Sequence, residues 1–542
     1  VRAVADPSVD ELRQQLRDRG YLTHGIERWF ALDPWSSRAF WVELAIVAAK
    51  AAVLIAAFGL VPPVAIMVVR NHPLSAVETL ELAVLYAAGW LVAAFVLMVL
   101  IALLLKLRPA LAIDTPGTLL GISLAAASAL TACIAIWWFR FDTSPSLPEL
   151  IVGAATTVIF LSTTTIVVSA ALLSFSIYEL HRVPAIHRRS RAVPMTIAAA
   201  ILVALLFLPA YAATDQKASE PAQVATTPTQ RRAALVAVDG LTYDVFASRP
   251  DLARQFTTAV RAQSLAGTTT ERWASVGTGT TADLHDVRSV EGIRFRGGAH
   301  VLQSVSRAEV ILRDLAPALG LAERQPLPPT VRHRDYAWEI FARRGVPSAA
   351  VNWWTTETAR GAGLDVVGQE PIFAASRGDA LRVDEAAVKS LLMTVDRSHS
   401  QFATVYLPAL DVILNRLALD RAAQLAMSVR ALDGVAAAVS AVRARGYDVL
   451  LIGIPGEHQQ GHGVIAATFP LQSPAAASAF DVAPTVFALL GFPASNEMPG
   501  RSLAGPERES RISSYGDRRM ASPAQSVNQE YYDNLRSLGY IR

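Results

Sequence analysis

Cysteine is nearly missing from these 542 residues. Cys133 is the single one, so no disulfide can form within the chain, and a domain facing an oxidising compartment must be held by its core alone. Charge is scarce as well: 18% of residues are Asp, Glu, Lys or Arg, where ordinary soluble domains carry about 25%. The net charge is only +3, and no Lys/Arg run with interleaved aromatics occurs, which argues against nucleic acid as a partner. What fills the space is apolar, with 52% hydrophobic residues and a mean hydropathy of +0.34. The excess lies before residue 214; the remainder is patterned like a globular domain.

Five stretches, at about 42–69, 80–105, 117–138, 150–178 and 194–213, are each long enough for the ~20-residue helix that crosses a bilayer. Pro62-Pro63 predicts a kink or break in the first. Basic residues alternate between the connections. Arg13, Arg17, Arg19, Arg28 and Arg38 precede the first span, Lys106 and Arg108 follow the second, and Arg182, Arg188, Arg189 and Arg191 follow the fourth. The other connections hold only Arg70 and Arg140. This places the N-terminus in the cytoplasm and the C-terminal domain outside, in a multi-pass cell (inner) membrane protein. Ser162, Thr163, Thr164 and Thr165 are expected to supply interhelical hydrogen bonds. The resulting division is a helical, interfacial leader at 1–41, a five-helix membrane domain at 42–213, a linker at 214–230 and an outer domain at 231–542.

In the outer domain "ALVAVDG", "FATVYLPALD" and "DVLLIGIP" read as buried strands ending in polar or turn residues, with helical patterns between them. That order predicts an α/β domain with a mainly parallel sheet, whose ligands sit at the carboxyl ends of the strands. Asp239, Asp411 and the loop "LIGIPGEHQQGHG" at 451–463 all fall at such ends.

The segment 266–287, "AGTTTERWASVGTGTTADLHDV", resembles the nucleophile segment of the alkaline phosphatase superfamily, in its type I phosphodiesterase and nucleotide pyrophosphatase branch. Thr269, Trp273, Thr278-Gly279 and His285 align with that pattern. "VNWWTTE", "FDVAPTVFALLGFP", "MPGRSL" and the tail "LRSLGYI" extend the resemblance over nearly all of 231–542. Five spans followed by such a domain are similar in layout to lipid phosphoethanolamine transferases and lipoteichoic acid synthases. The resemblance implies an alkaline-phosphatase-like, sulfatase-like fold and a lipid-linked or small phosphate ester as substrate.

It also implies two divalent metal ions, usually zinc, around a hydroxyl nucleophile. Thr269 would be that nucleophile, with Thr268 and Thr270 flanking it as alternatives, and Asp239 and Asp411 would be ligands. Trp353, Trp354 and Thr355 are candidates for contact with the substrate. Two departures stand out. Asn415 replaces the histidine expected four residues after Asp411, and Ile454-Pro455 replaces an Asp-His pair. A two-residue slip would instead bring Glu457 and His458 into the ligand positions and leave His462 as the last histidine. The strand would then have to run past Pro455-Gly456. Two functions therefore stand open: a metal-dependent phosphoesterase or phosphotransferase, and a pseudoenzyme without metals that serves as a binding subunit of an envelope complex. The gap-free reading favours the second.

Overall fold

The computed structural model describes residues 11, 38–70, 74, 76–107, 116–139, 147–181, 195–201 and 203–204, then 229–541 apart from 299, 304–310, 457–458, 473–476, 506–510 and 519–527. These residues form two compact units. One takes the described residues within Val1–Phe141, Pro145–Gln216 and Phe295–Glu323, the other those within Lys217–Arg294 and Arg324–Arg542.

The first unit is helical: α1 (Arg38–Gly59), α2 (Val61–Arg70), α3 (Ala76–Leu107), α4 (Pro116–Phe139) and α5 (Leu147–His181). Four stretches in it are apolar and long enough to cross a bilayer: Leu44–Val69, Ala76–Leu104, Gly117–Trp138 and Glu149–Leu173. The chain is a multi-pass membrane protein. The first stretch is interrupted at Leu60, which puts Pro62 and Pro63 in the opening turn of α2, where a missing N–H costs nothing. Small residues let the helices close on one another. A Cβ on Gly59 would lie 2.8 Å from the Trp90 ring, and one on Gly153 would lie 2.5 Å from Trp138.

Three of the four hydroxyls expected to bond between helices turn inward instead. Ser162, Thr163 and Thr165 donate to the carbonyls of Val158, Ile159 and Leu161, four residues back on their own helix. In an apolar setting a hydroxyl takes the nearest acceptor, and the carbonyl one turn below is always within reach. Of the expected fifth span at 194–213, residues 195–201 and 203–204 are described, and they are helical. The rest of it lies outside the described residues, as does most of the leader and of the 214–230 linker.

The second unit is α/β. Its eight-stranded sheet has the order β10-β2-β9-β8-β1-β7-β5-β6, with β1 at Ala233–Asp239, β2 at Thr258–Gln263, β5 at Ser348–Val351 and β6 at Leu364–Val367. β7 is Phe402–Leu407, β8 Asp448–Ile454, β9 Gly463–Ala467 and β10 Ala477–Ser478. A separate two-stranded sheet pairs β3 (Glu291–Phe295) with β4 (Ala322–Pro326). In the eight-stranded sheet β9 runs antiparallel to both of its neighbours; the pairings of β1 with β7 and β8, and of β5 with β6 and β7, are parallel. Every residue of β1 and β7 is buried, as expected of central parallel strands covered on both faces. Helices α6 (Thr269–Thr278), α7 (Ala380–Ser398) and α8 (Arg421–Arg443) belong to this unit. α8 is also apolar and long enough to cross a bilayer, yet it packs on α7 and β8.

Candidate functional site

Because β1, β7 and β8 are parallel neighbours, their carboxyl ends meet at one edge. Asp239 closes β1 and stands in register with Ile454, the last residue of β8. Gly240, at φ +80°, turns the chain there, and its N–H donates to the Ile454 carbonyl (2.8 Å). A Cβ at Gly240 would come within 2.6 Å of the Asp411 backbone nitrogen, so only glycine permits both the left-handed turn and this close approach. Asp411 follows β7 by four residues, at the end of the short helix Ala409–Asp411. A π-helical turn, Val412–Arg416, continues from it and brings Asn415 and Arg416 back onto its carboxylate.

α6 delivers the hydroxyls. Thr268 is its N-cap, accepting the Glu271 N–H and donating to the Arg288 carbonyl (3.0 Å). Thr268 and Thr270 also bond each other (3.1 Å). Thr269, fully buried, is the member of the trio whose hydroxyl meets the acidic pair's cation: Arg416 donates to it through Nη2 (2.8 Å). The same guanidinium donates through Nε to Asp411 Oδ2 (2.7 Å) and stacks on the Tyr540 ring, 4.3 Å from its centroid. Asn415 donates to Asp411 Oδ1 (2.8 Å), so both oxygens of Asp411 are occupied. Asp239 accepts from Tyr406 OH through Oδ2 (2.8 Å) and from its neighbour's backbone N–H through Oδ1. Burial first, and then the Asp411 carboxylate, push the Asp239 carboxyl up to about 7.

One turn into α6, Arg272 is almost completely buried and donates through Nη1 to the Pro455 carbonyl (2.5 Å). Its Nε and Nη2 have no hydrogen-bond partner among the described residues. Glu271 leans the other way: a Cβ on Gly267 would lie 2.4 Å from its carboxylate, and its charge faces Arg288. It therefore does not set a negative charge against the Thr269 hydroxyl.

No protein-family model matches the chain. Nor does any curated protein. Among solved structures, the chain is similar to murine ectonucleotide pyrophosphatase/phosphodiesterase 5, inactive and in complex with AMP, at 9% identity over 52% of this chain and 97% of that one (TM-score 0.35). It is also similar to phosphonoacetate hydrolase from Sinorhizobium meliloti in complex with phosphonoformate, at 11% identity over 43% and 60% (TM-score 0.29). A third is the integral membrane lipooligosaccharide phosphoethanolamine transferase A from Neisseria meningitidis, at 11% identity over 84% and 98% (TM-score 0.32).

The structure thus brings Thr269, Asp239, Asp411 and Asn415 together. β8 ends at Ile454, and Ile454 lies opposite Asp239 with no two-residue extension. Glu457 and His458 lie outside the described residues. His462 is exposed, and its backbone carbonyl accepts the Tyr243 N–H.

The three residues expected to touch substrate are packing residues instead. Trp353 is fully buried, bonded to Thr404 (3.0 Å), and lies among Trp273, Trp338 and Tyr406. Trp354 packs edge-on against Tyr540. Thr355 shares a hydrogen bond with Tyr336 (3.0 Å) in a left-handed backbone turn, φ +50°. Paired tryptophans at a strand end fill the core here because the sheet's rim is roofed by aromatics from several elements.

The described residues at this site do not fit a pair of metal ions. A cation linking Asp411 to Thr269 would need the place held by the Arg416 guanidinium. The backbone also closes in on the other oxygen, since a Cβ at Gly456 would lie 2.0 Å from Asp411 Oδ1 and 2.3 Å from Asn415 Nδ2. Asn415 is spent on Asp411, Ile454 has no donor atom in its side chain, and the described residues contain no group of three or more His, Cys, Asp or Glu able to hold a metal.

Arg272, Arg416, Tyr406 and Tyr540 escaped the sequence reading. Their one trace in the sequence is their place beside the candidate residues: Arg416 follows Asn415 directly, and Arg272 stands between Thr269 and Trp273.

Proposed function

We propose that this membrane protein has an alkaline-phosphatase-like outer domain that recognises a phosphate ester, lipid-linked or small, at the Thr269 end of its sheet. The observation that carries the reading is the convergence of Thr269, Asp239, Asp411, Arg272 and Arg416 at the carboxyl ends of β1, β7 and β8. A hydroxyl heading a helix, backed by buried guanidinium groups, suits a phosphoryl group in charge and geometry. Domain limits of 231–542, an extracytoplasmic placement and the inner membrane belong to the same proposal, supported by the arginine alternation.

Within this reading a binding subunit is favoured over a hydrolase. Arg416 holds the Thr269 hydroxyl and Asp411 at once, and among the described residues each oxygen of Asp239 and Asp411 already accepts a hydrogen bond, an arrangement that favours holding the hydroxyl over taking its proton. The test uses the full chain in detergent with bis(4-nitrophenyl) phosphate and phosphatidylethanolamine. Binding without turnover is expected, weakened in Thr269→Ala. Turnover abolished by Thr269→Ala would make the protein a phosphoesterase or phosphotransferase instead. The absence of both binding and turnover would refute the reading.

A further inference from the structure

We infer that two arginines have replaced the metal pair, so that this site is a metal-free oxyanion receptor whose unpartnered edge is the side-on fork of Arg272. The inference rests on the phosphate-ester reading above and names how that site would hold its ligand.

Arg416 stands where a cation would have to stand. Its Nε lies 2.7 Å from Asp411 Oδ2 and its Nη2 2.8 Å from Thr269 Oγ1, joining a carboxylate to a hydroxyl as a divalent ion would. A guanidinium cannot be chelated away and stays protonated at any physiological pH. With Asp411 as its counter-charge, this cation is neutralised and structural.

Arg272 is different. Its Nη1 is used by the Pro455 carbonyl, which fixes the plane of the guanidinium. The remaining edge, Nε and Nη2, is the pair of parallel N–H donors that meets a carboxylate or phosphate with two hydrogen bonds. That edge is buried and has no partner among the described residues, on a side chain only 3% exposed. Asp239 is near enough for its charge to be felt by Arg272, yet its oxygens accept from Gly240 and Tyr406. A buried charged donor left open is costly, and an oxyanion with two free oxygens relieves that cost. The donors sit in the first turn of α6, ten residues long, whose N-terminal end also favours negative charge.

The experiment is a thermal melt of the full chain in detergent, with metal content measured on the same sample, in the presence of EDTA, zinc chloride or inorganic phosphate. The expected result is no stoichiometric zinc, a midpoint indifferent to EDTA and zinc, and a midpoint that rises with phosphate. Arg272→Gln should abolish the phosphate rise. Arg272→Lys, which keeps the charge and loses the fork, should diminish it by at least half. The double variant Asn415→His/Arg416→Ala frees Asp411 beside a histidine and should gain a zinc-dependent rise that the natural chain lacks. Zinc at one or more per chain, or a midpoint lowered by EDTA, would overturn the inference while leaving the phosphate-ester reading intact. So would a phosphate rise unchanged in both Arg272 variants. A chain free of zinc that shows no phosphate rise would overturn the receptor, and the binding assay of the preceding section then decides whether the phosphate-ester reading falls with it.

Discussion

Replacing Arg416 by methionine should expose how much of the site's stability hangs on one guanidinium. Asp411 is fully buried and Arg416 nearly so, so solvent screening is weak. Removing the cation leaves Asp411 with a single donor, Asn415, and a second carboxylate, Asp239, close enough to repel it. Breaking such a pair by deleting one partner costs about 3–5 kcal/mol. The α/β unit spans about 300 residues, and at ~2.1 cal/mol/K of unfolding entropy per residue its midpoint should fall by about 5–8 °C. Asp411→Asn/Arg416→Met removes both charges and should recover at least half of that loss. Tryptophan fluorescence follows the melt directly, since Trp273, Trp353 and Trp354 are all buried in this unit. A single-variant loss below about 1 kcal/mol, or a double variant less stable than the single, would refute the reasoning.

Three further outcomes follow from other parts of the molecule. His285 is buried between the Ser275 hydroxyl and the Val287 N–H, and burial, helped by Arg288 and Arg332, holds its pKa well below the usual 6.5. The folded state keeps it neutral while the unfolded chain binds a proton as pH falls through ~6.5. Its contribution to stability is therefore present above that pH and declines below it by up to ~1.4 kcal/mol per unit; chemical denaturation at pH 7 and 5 should show a smaller acid loss in His285→Gln than in the natural chain. Trp353→Ala should destabilise the α/β unit by about 3–5 kcal/mol without a selective effect on phosphate binding, and a variant that melts normally but binds poorly would restore Trp353 as a ligand contact. Reporter fusions near Arg189 should read as cytoplasmic and fusions after Ala213 as extracytoplasmic, and the reverse pattern would overturn the proposed orientation.

The architecture was legible because it rests on periodicity. Long apolar runs and buried strands ending in Asp-Gly or Pro leave a trace along one dimension, and β1, β7 and β8 appear where those runs stand. The strand ends left a trace too, since Gly240 and the Pro455-Gly456 pair stand where β1 and β8 stop. The site itself was legible in its anionic half alone. Asp239, Asp411 and Thr269 occupy positions that a familiar chemistry makes conspicuous. Arginine is common enough that Arg272 and Arg416 carried no comparable signal, and their importance arises only when a helix and a π-helical turn bring them to the same end of the sheet. Trp353 and Trp354 failed for the opposite reason: they were conspicuous, yet the aromatics that bury them come from segments as far apart as Trp273 and Tyr540.

Helix α8 presents the machinery of membrane insertion with a problem that the finished fold conceals. By length and composition it could be threaded into the bilayer like the helices of the first unit, and Leu425 and Val429 remain exposed on its surface. Near its middle stand Arg430 and Asp433, each of which adds about 2.5–3.5 kcal/mol to the cost of lateral partitioning into lipid. Asp433 is then captured by Arg249 (2.6 Å), a residue of the α/β unit. The carboxylate that raises the cost of lodging this helix among lipids is therefore the same one that ties it to Arg249 in the folded domain.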